Sequence, residues 1–441
     1  MGYLIAVPQR KMFLLVPVAR KLLWYSGSMH FKTIRFFLSL FISISLIFAG
    51  AGFFTTYFPI FAKKSLSDQS IGLITSFYYV GFLLGSLFIT RIMKLVGHIR
   101  GFIFILSILA ISSLSFSLFP STYLWFLLRF MMGFGLSGVY ILTESWLSFH
   151  ASAERRGKTF AIYRIIELLS WSAGTAFIDY FSRMPSTFHF SLVALLIILS
   201  AIPLSLTQLS QPEASLPFKL NLKVLWETSQ YSTVTAFLIG LSNSALWLMT
   251  PLFLLSQNIK ETEIPYFFIV YILGGLLSHY PLGMLSDKFD RRIVVTVFAA
   301  LTGVTSFFLI TYQLPAFFIL GLFNMPIYSV TTTHALDRAN PEDYGRISAQ
   351  LLFTYSMGAI FGPLICGYLL THFGAQGFIY QLLVVFGIMA LFGLYQKLIS
   401  PAVPTSEKES FRLLPEGFLG IEWFIKKIKQ EIKDVLGGQK K

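Results

Sequence analysis

FFLSLFISISLIFAGAGFFTTYFPI, residues 36–60, runs from Phe36 to Ile60 without one acidic or basic side chain. A helix needs roughly 20 apolar residues to cross about 30 Å of hydrocarbon. The stretch is therefore long enough to span a bilayer, and too long for the apolar region of a signal peptide. Similar stretches follow at about 70–90, 102–119, 123–147, 159–182 and 188–208. Six more lie at about 230–255, 264–286, 293–312, 315–333, 347–371 and 375–398. They are continuous apolar runs, without the alternation of a membrane barrel. Composition agrees: 55% of residues are hydrophobic, only 12% are charged, and the mean hydropathy is +0.71. A soluble domain is about a quarter charged, so this chain cannot cover itself with polar surface. The reading is an all-α membrane protein with twelve transmembrane helices.

The longest polar break between spans is 209–229, too short for a folded domain. It divides the chain into a first six-helix bundle, 34–208, and a second, 230–398. Two pseudo-symmetric bundles joined by such a linker predict a binding site between them near the midplane. Residues 1–33 form a basic extension expected to be poorly ordered. Its apolar piece, Met12–Ala19, is too short to span, and Met29 opens a compact basic lead into the first helix. An interfacial anchor and a start codon placed too early both fit residues 1–28. The tail, 399–441, carries an apolar stripe, Phe418, Ile421, Phe424, Ile425, Ile428, Ile432 and Val435, opposite lysines. Such a helix is expected to lie in an anionic headgroup layer.

A net charge of +14 invites a nucleic-acid reading, but its placement argues against one. Arg10, Lys11, Arg20, Lys21, Lys32 and Arg35 precede the first span, and Lys426, Lys427, Lys429, Lys433, Lys440 and Lys441 follow the last. The opposite side of the bundle holds only Lys63, Lys64, Arg183 and Lys260. This bias predicts both termini in the cytoplasm. Cys366 is the only cysteine and lies inside a span, so neither an internal disulfide nor a thiolate metal site is expected. No cofactor is expected either.

Several charged residues stand at depth. Arg129 opens Arg129-Phe-Met-Met-Gly133-Phe-Gly135-Leu-Ser-Gly138, about 9 Å in from its helix end at 1.5 Å per residue. A charge there must face the bundle interior, water or the interface, while the glycines permit close helix contact. Arg164 and Glu167 share a helical face, and Glu167 falls near the midplane. Arg164 and Arg129 are its expected partners. A carboxylate so placed can alternate between ion-paired and protonated states; a static pair that fixes packing is the competing reading. Glu144 and Asp179 stand nearer span ends and read as structural. The second half offers Asn243, Trp247, Tyr271, Asn324 and Tyr328 as polar or aromatic lining, with His279 its main ionisable group at depth.

A charged turn, Gly283-Met-Leu-Ser-Asp287-Lys-Phe-Asp290-Arg291-Arg292, joins two spans of the second half. Asp287 is expected to pair with Arg291 across it. The pattern resembles the loop motif G-x-L-x-D-[RK]-x-G-R-R of the major facilitator superfamily. The first half has a degraded copy, Gly85, Arg91, Lys94, Gly97, His98 and Arg100, in which Lys94 stands where Asp287 stands. Arg129 with its glycines is similar to that superfamily's R-x-x-x-G-x-G pattern. Thr143-Glu144-Ser145-Trp146-Leu147, followed by Arg155-Arg156-Gly157-Lys158 and Tyr163, resembles the signature of its YcaD-like branch. So do Pro326-Ile-Tyr328 with His334-Ala-Leu-Asp337-Arg338, and Gly358-x-x-x-Gly362-Pro363.

The resemblance implies the twelve-helix, two-bundle fold and secondary transport by alternating access in a bacterial inner membrane. Arg129, Arg164, Glu167, Asn243, Trp247, Asn324 and Tyr328 would line the substrate and proton pathway. Gly97, Arg100, Gly283, Asp287, Arg291, Arg292, Asp337 and Arg338 would form a cytoplasmic gate. The expected partners are a small organic solute, protons and membrane lipids, with the chain acting as a monomer. The fifth span reads Ser170-Trp-Ser-Ala-Gly174-Thr, without the proline of drug–proton antiporters, which argues against a multidrug exporter. A non-transporting sensor or scaffold would also suit the degraded first loop. A membrane-embedded lipid-processing enzyme finds no G-x-x-x-x-G-K-[ST] or H-E-x-x-H motif to support it.

Overall fold

The computed structural model of the chain describes residues 12–150, 156–205, 221–311, 313–340, 343–401, 403–404 and 408. These residues form twelve long helices and one short one. The first half comprises α1 (Met12–Lys63), α2 (Asp68–Val96), α3 (His98–Leu118), α4 (Thr122–His150), α5 (Arg156–Tyr180) and α6 (Ser186–Ser205). A short α7 (Leu222–Thr228) precedes α8 (Gln230–Ser256), α9 (Ile264–Lys288), α10 (Arg291–Phe307), α11 (Gln313–Leu336), α12 (Tyr344–Phe373) and α13 (Ala375–Ile399). One end of the bundle holds the α2–α3 turn and α7 and is called here the linker side. The far side holds the α1–α2 turn.

The two halves repeat one packing scheme. In the first, α1 packs on α5 and α6, α2 on α4, and α3 on α4 and α6. In the second, α8 packs on α12 and α13, α9 on α11, and α10 on α11 and α13. Shifting the first set by one six-helix repeat gives the second. Glycines recur at the closest of these crossings. Gly81 meets the Phe130 carbonyl while Gly133 meets that of Tyr78, and Gly274 and Gly321 do the same with Phe318 and Tyr271. A side chain at any of these would strike backbone, so close packing of these helices depends on small residues.

Between the halves, α2 packs along α12 and its pseudo-equivalent α5 touches α9, with α1 against α8 on the axis. Three of the joining contacts lie on the far side. Gly72 and Gly367 face each other so that a Cβ on either would lie 3.0 Å from the other's Cα. The Gln69 amide donates to Thr371 Oγ1 at 2.9 Å. Across the other seam the Tyr266 hydroxyl donates to Asp179 at 3.3 Å.

Several elements differ from their expected form. The boundary expected at 33/34 falls inside α1, a continuous helix of 52 residues. Part of the linker is helical: Asn221 caps α7, and Leu225 packs with Ala335, Leu336, Ile347 and Leu351. Helix α10 ends at Phe307 after 17 residues, short of the expected span, and α9 bends by 41° between His279 and Pro281. Nine of the described helices are long and apolar enough to cross a membrane on their own, and α9 joins them as a bent span. The charges of α5 make it polar for such a helix. The tail stripe at 418–435 lies outside the described residues.

Candidate functional site

A cavity of about 220 Å³ opens between the halves. Its lining residues sit near the middles of their helices, among them Phe82 in α2, Ser137 in α4, Glu167 in α5 and Asn243 in α8. Among the described residues the first half contributes every charged group of the lining: Glu144, Arg164 and Glu167. The second contributes Asn243, Trp247, Leu248, Tyr271, Met325, Leu352 and Tyr355.

Helical spacing makes the central ion pair. Arg164 and Glu167, three residues apart, bond directly to each other. The Tyr140 hydroxyl on α4 donates to the other Glu167 oxygen at 2.6 Å. Arg164 also lies 5.8 Å from the Tyr163 ring and 6.0 Å from that of Tyr140. The carboxylate is thus held from its own helix and from a neighbour. Glu144, one turn beyond Tyr140, has no hydrogen-bond partner among the described residues and is half-buried at the cavity wall. Its place in the lining differs from the structural role expected of a residue near a span end. The signal available in the sequence was its helical register, which puts it on the same face of α4 as Tyr140.

Arg129 does not reach Glu167. Its guanidinium lies 4.1 Å from the Phe58 ring, 5.1 Å from Phe54 and 6.0 Å from Tyr78. It is 1% exposed and lines a second, smaller cavity within the first half. Its Nε and Nη2 have no hydrogen-bond partner among the described residues, and aromatic faces, not a carboxylate, surround this cation. The expected pairing failed because Arg129 enters α4 from the far side and points into the interior of its own bundle.

In the second half Asn324 sits behind the cavity wall and fixes it. Its Nδ2 donates to Asn243 Oδ1 at 2.8 Å and to the Tyr271 hydroxyl at 2.7 Å. Tyr328 is likewise set back, edge-on to Tyr355 at 5.2 Å. Trp247 meets Trp171 of the first half at 5.9 Å and 70°, and Tyr271 at 5.5 Å and 85°. Both tryptophans lie on the far-side halves of their helices, so this pair roofs the cavity. Trp171 was not singled out from sequence, since one more aromatic in a chain that is 17% aromatic gives no signal.

The charged turn lies apart from the cavity, at the linker side. Arg291 donates to Asp337 at 2.7 Å, Ser286 at 2.8 Å and Asp287 at 3.0 Å, so the expected Asp287–Arg291 pair forms. Arg292 bonds Asp290 at 2.8 Å and the carbonyls of Gln396 and Ser400 at 2.8 and 3.0 Å. Arg338 donates to the Pro401 carbonyl at 2.8 Å. These bonds tie α9, α10, α11 and the end of α13 together. Asp290, where the loop pattern has glycine, caps α10 through the Arg292 amide at 3.0 Å. Burial alone would raise its carboxyl, but the Arg292 bonds outweigh this and hold it below the ordinary carboxylate value. Gly283 is buried and its carbonyl accepts from Ser286 at 2.7 Å. Gly97 forms the one-residue turn between α2 and α3 at φ 83° and ψ 166°, a conformation essentially confined to glycine. Arg100 is exposed one turn later.

A family model described as the Major Facilitator Superfamily matches residues 40–229 and 232–435. The chain belongs to the major facilitator superfamily. This is a family of multi-pass membrane transporters, and the two matched blocks correspond to the two packed halves. The chain is 24% identical over 317 residues to the uncharacterized MFS-type transporter YcaD of Escherichia fergusonii, covering 71% of this chain and 82% of that one. The same figures hold for YcaD of Salmonella typhimurium. Among solved structures, a bacterial homolog of the human lysosomal transporter Spinster, inward-facing and occupied, is similar with a TM-score of 0.66 and 16% identity. That match covers 85% of this chain and 98% of the other. A mutant of the nucleoside transporter NupG is similar with a TM-score of 0.69 and 12% identity, over 82% of this chain and all of that one. These superfamily structures share the fold.

Proposed function

We propose that this protein is a proton-linked secondary carrier that moves a small organic solute by alternating access. It works as a monomer in a bacterial inner membrane, with the linker side cytoplasmic. The observation that carries the reading is the cavity between the halves, with the Arg164–Glu167 pair in its wall near mid-depth. Protonating Glu167 removes the charge that holds Arg164, so proton binding changes what the cavity offers a solute. Each half contributes one wall, so a rocking motion that parts the far-side contacts would expose the same site to the opposite face. The basic residues before the first apolar span and in the tail favour a cytoplasmic linker side.

The test is flux in reconstituted vesicles under an imposed pH gradient, across a panel of radiolabelled metabolites. A carrier shows gradient-dependent accumulation of some solute, and Glu167→Gln abolishes that dependence. Equal background flux in wild type and variant over the whole panel would favour a scaffold that keeps the fold without transport.

A further inference from the structure

We propose that the central cavity selects organic monocations with an aromatic or apolar body, the cationic head at Glu144 and the body under Trp171 and Trp247. The inference rests on the reading of this cavity as the solute site.

The argument is one of charge and lining. Among the described residues Arg164 is the single basic side chain lining the cavity, and it is already engaged by Glu167. Among the carboxylates lining the cavity, Glu144 is therefore left without a counterion bonded to it. With all three groups ionised the lining carries one net negative charge, which a monocation balances. An anion would meet Glu144 and find the Arg164 guanidinium occupied. Arg129 offers it nothing, because that cation lies in the smaller cavity under the rings of Phe54 and Phe58.

The rest of the wall suits the same solute. Tyr140, Trp171, Trp247, Tyr271 and Tyr355 line it, and ring faces attract alkylammonium groups, most strongly when water is excluded. Apolar lining predominates, which stabilises a hydrocarbon body and suits a sugar or a dicarboxylate poorly. The Trp171–Trp247 contact joins the halves, so a body seated beneath it would touch both.

Equilibrium binding to the purified full-length protein in detergent tests this, with benzyltrimethylammonium, benzyl alcohol, phenylacetate and uridine as probes. The cation is expected to bind at least about tenfold more tightly than the neutral and anionic probes. Glu144→Gln should weaken it by at least about tenfold, Glu144→Asp by less. Trp247→Leu, which leaves the carboxylates alone, should cost about tenfold as well. Phenylacetate or uridine binding as tightly as the cation would overturn the proposal. So would absent cation binding, or cation binding unchanged in both Glu144→Gln and Trp247→Leu. Cation binding without vesicle flux would sink the carrier reading and leave this one standing. Flux of an anion by a protein that ignores the cation would do the reverse.

Discussion

Arg291 is 1% exposed between Asp337, itself 1% exposed, and Asp287. Removing one partner of such a buried pair leaves an uncompensated charge and costs about 3–5 kcal/mol. Asp337→Ala should therefore lower thermal stability in detergent sharply, while Asp287→Ala, whose carboxylate is 27% exposed, should cost far less. Equal losses would show that burial does not decide the ranking. Asp290 adds a pH dependence of defined sign. Its carboxyl is held below the ordinary value, so its contribution is full above about pH 4 and is lost as pH falls through the depressed value. Asp290→Asn should flatten that acid limb of a stability–pH curve, and an unchanged limb would exclude Asp290 as its source. The Asp287–Arg291 pair was legible because four residues span one turn. Asp337 as its second partner was not, since 46 residues separate it from Arg291 and only the packing of α11 beside α10 joins them. The Arg164–Glu167 pair was legible from spacing alone, whereas Glu144 offered only its register with Tyr140 on α4, and Trp171 became a site residue only once Trp247 of the other half was set against it.

At the scale of elements, length and hydropathy revealed the twelve long helices because lipid imposes both. The limits of that signal show in α7, which is too short to carry a span, and in α10, whose last expected turn is not helical. The seams between helices depend on single atoms. Gly72 and Gly367 permit α2 and α12 to meet on the far side, and valine at either would hold them apart. With Cys366→Ala removing the native thiol, a cysteine in place of Asn243 reports access to the cavity. Gly72→Val and Gly367→Val should raise its labelling by an impermeant thiol reagent added from the far side. Unchanged labelling would mean that this seam does not close the cavity. Gly97→Ala should destabilise the α2–α3 turn by about 1–3 kcal/mol, read as a lower unfolding temperature.

Over the whole molecule the two halves share a packing scheme but divide the chemistry. At the cavity the first carries the charged groups and the second an aromatic and amide wall held by Asn324. Alternating access predicts that bridging the second far-side seam arrests the cycle. Cysteines in place of Asp179 and Tyr266, joined by a short bifunctional thiol reagent, should abolish gradient-driven flux, with recovery when the bridge is cleaved. Full flux in the bridged protein would exclude a rocking motion at that seam. The Gly72–Gly367 joint has a consequence for wear. Its closest contacts are main-chain atoms already bonded within their own helices, with the Gln69–Thr371 bond beside them to break and remake on each parting. A surface of that kind separates and remates with little memory of how it was last seated, which suits a part that must open and shut at every turnover.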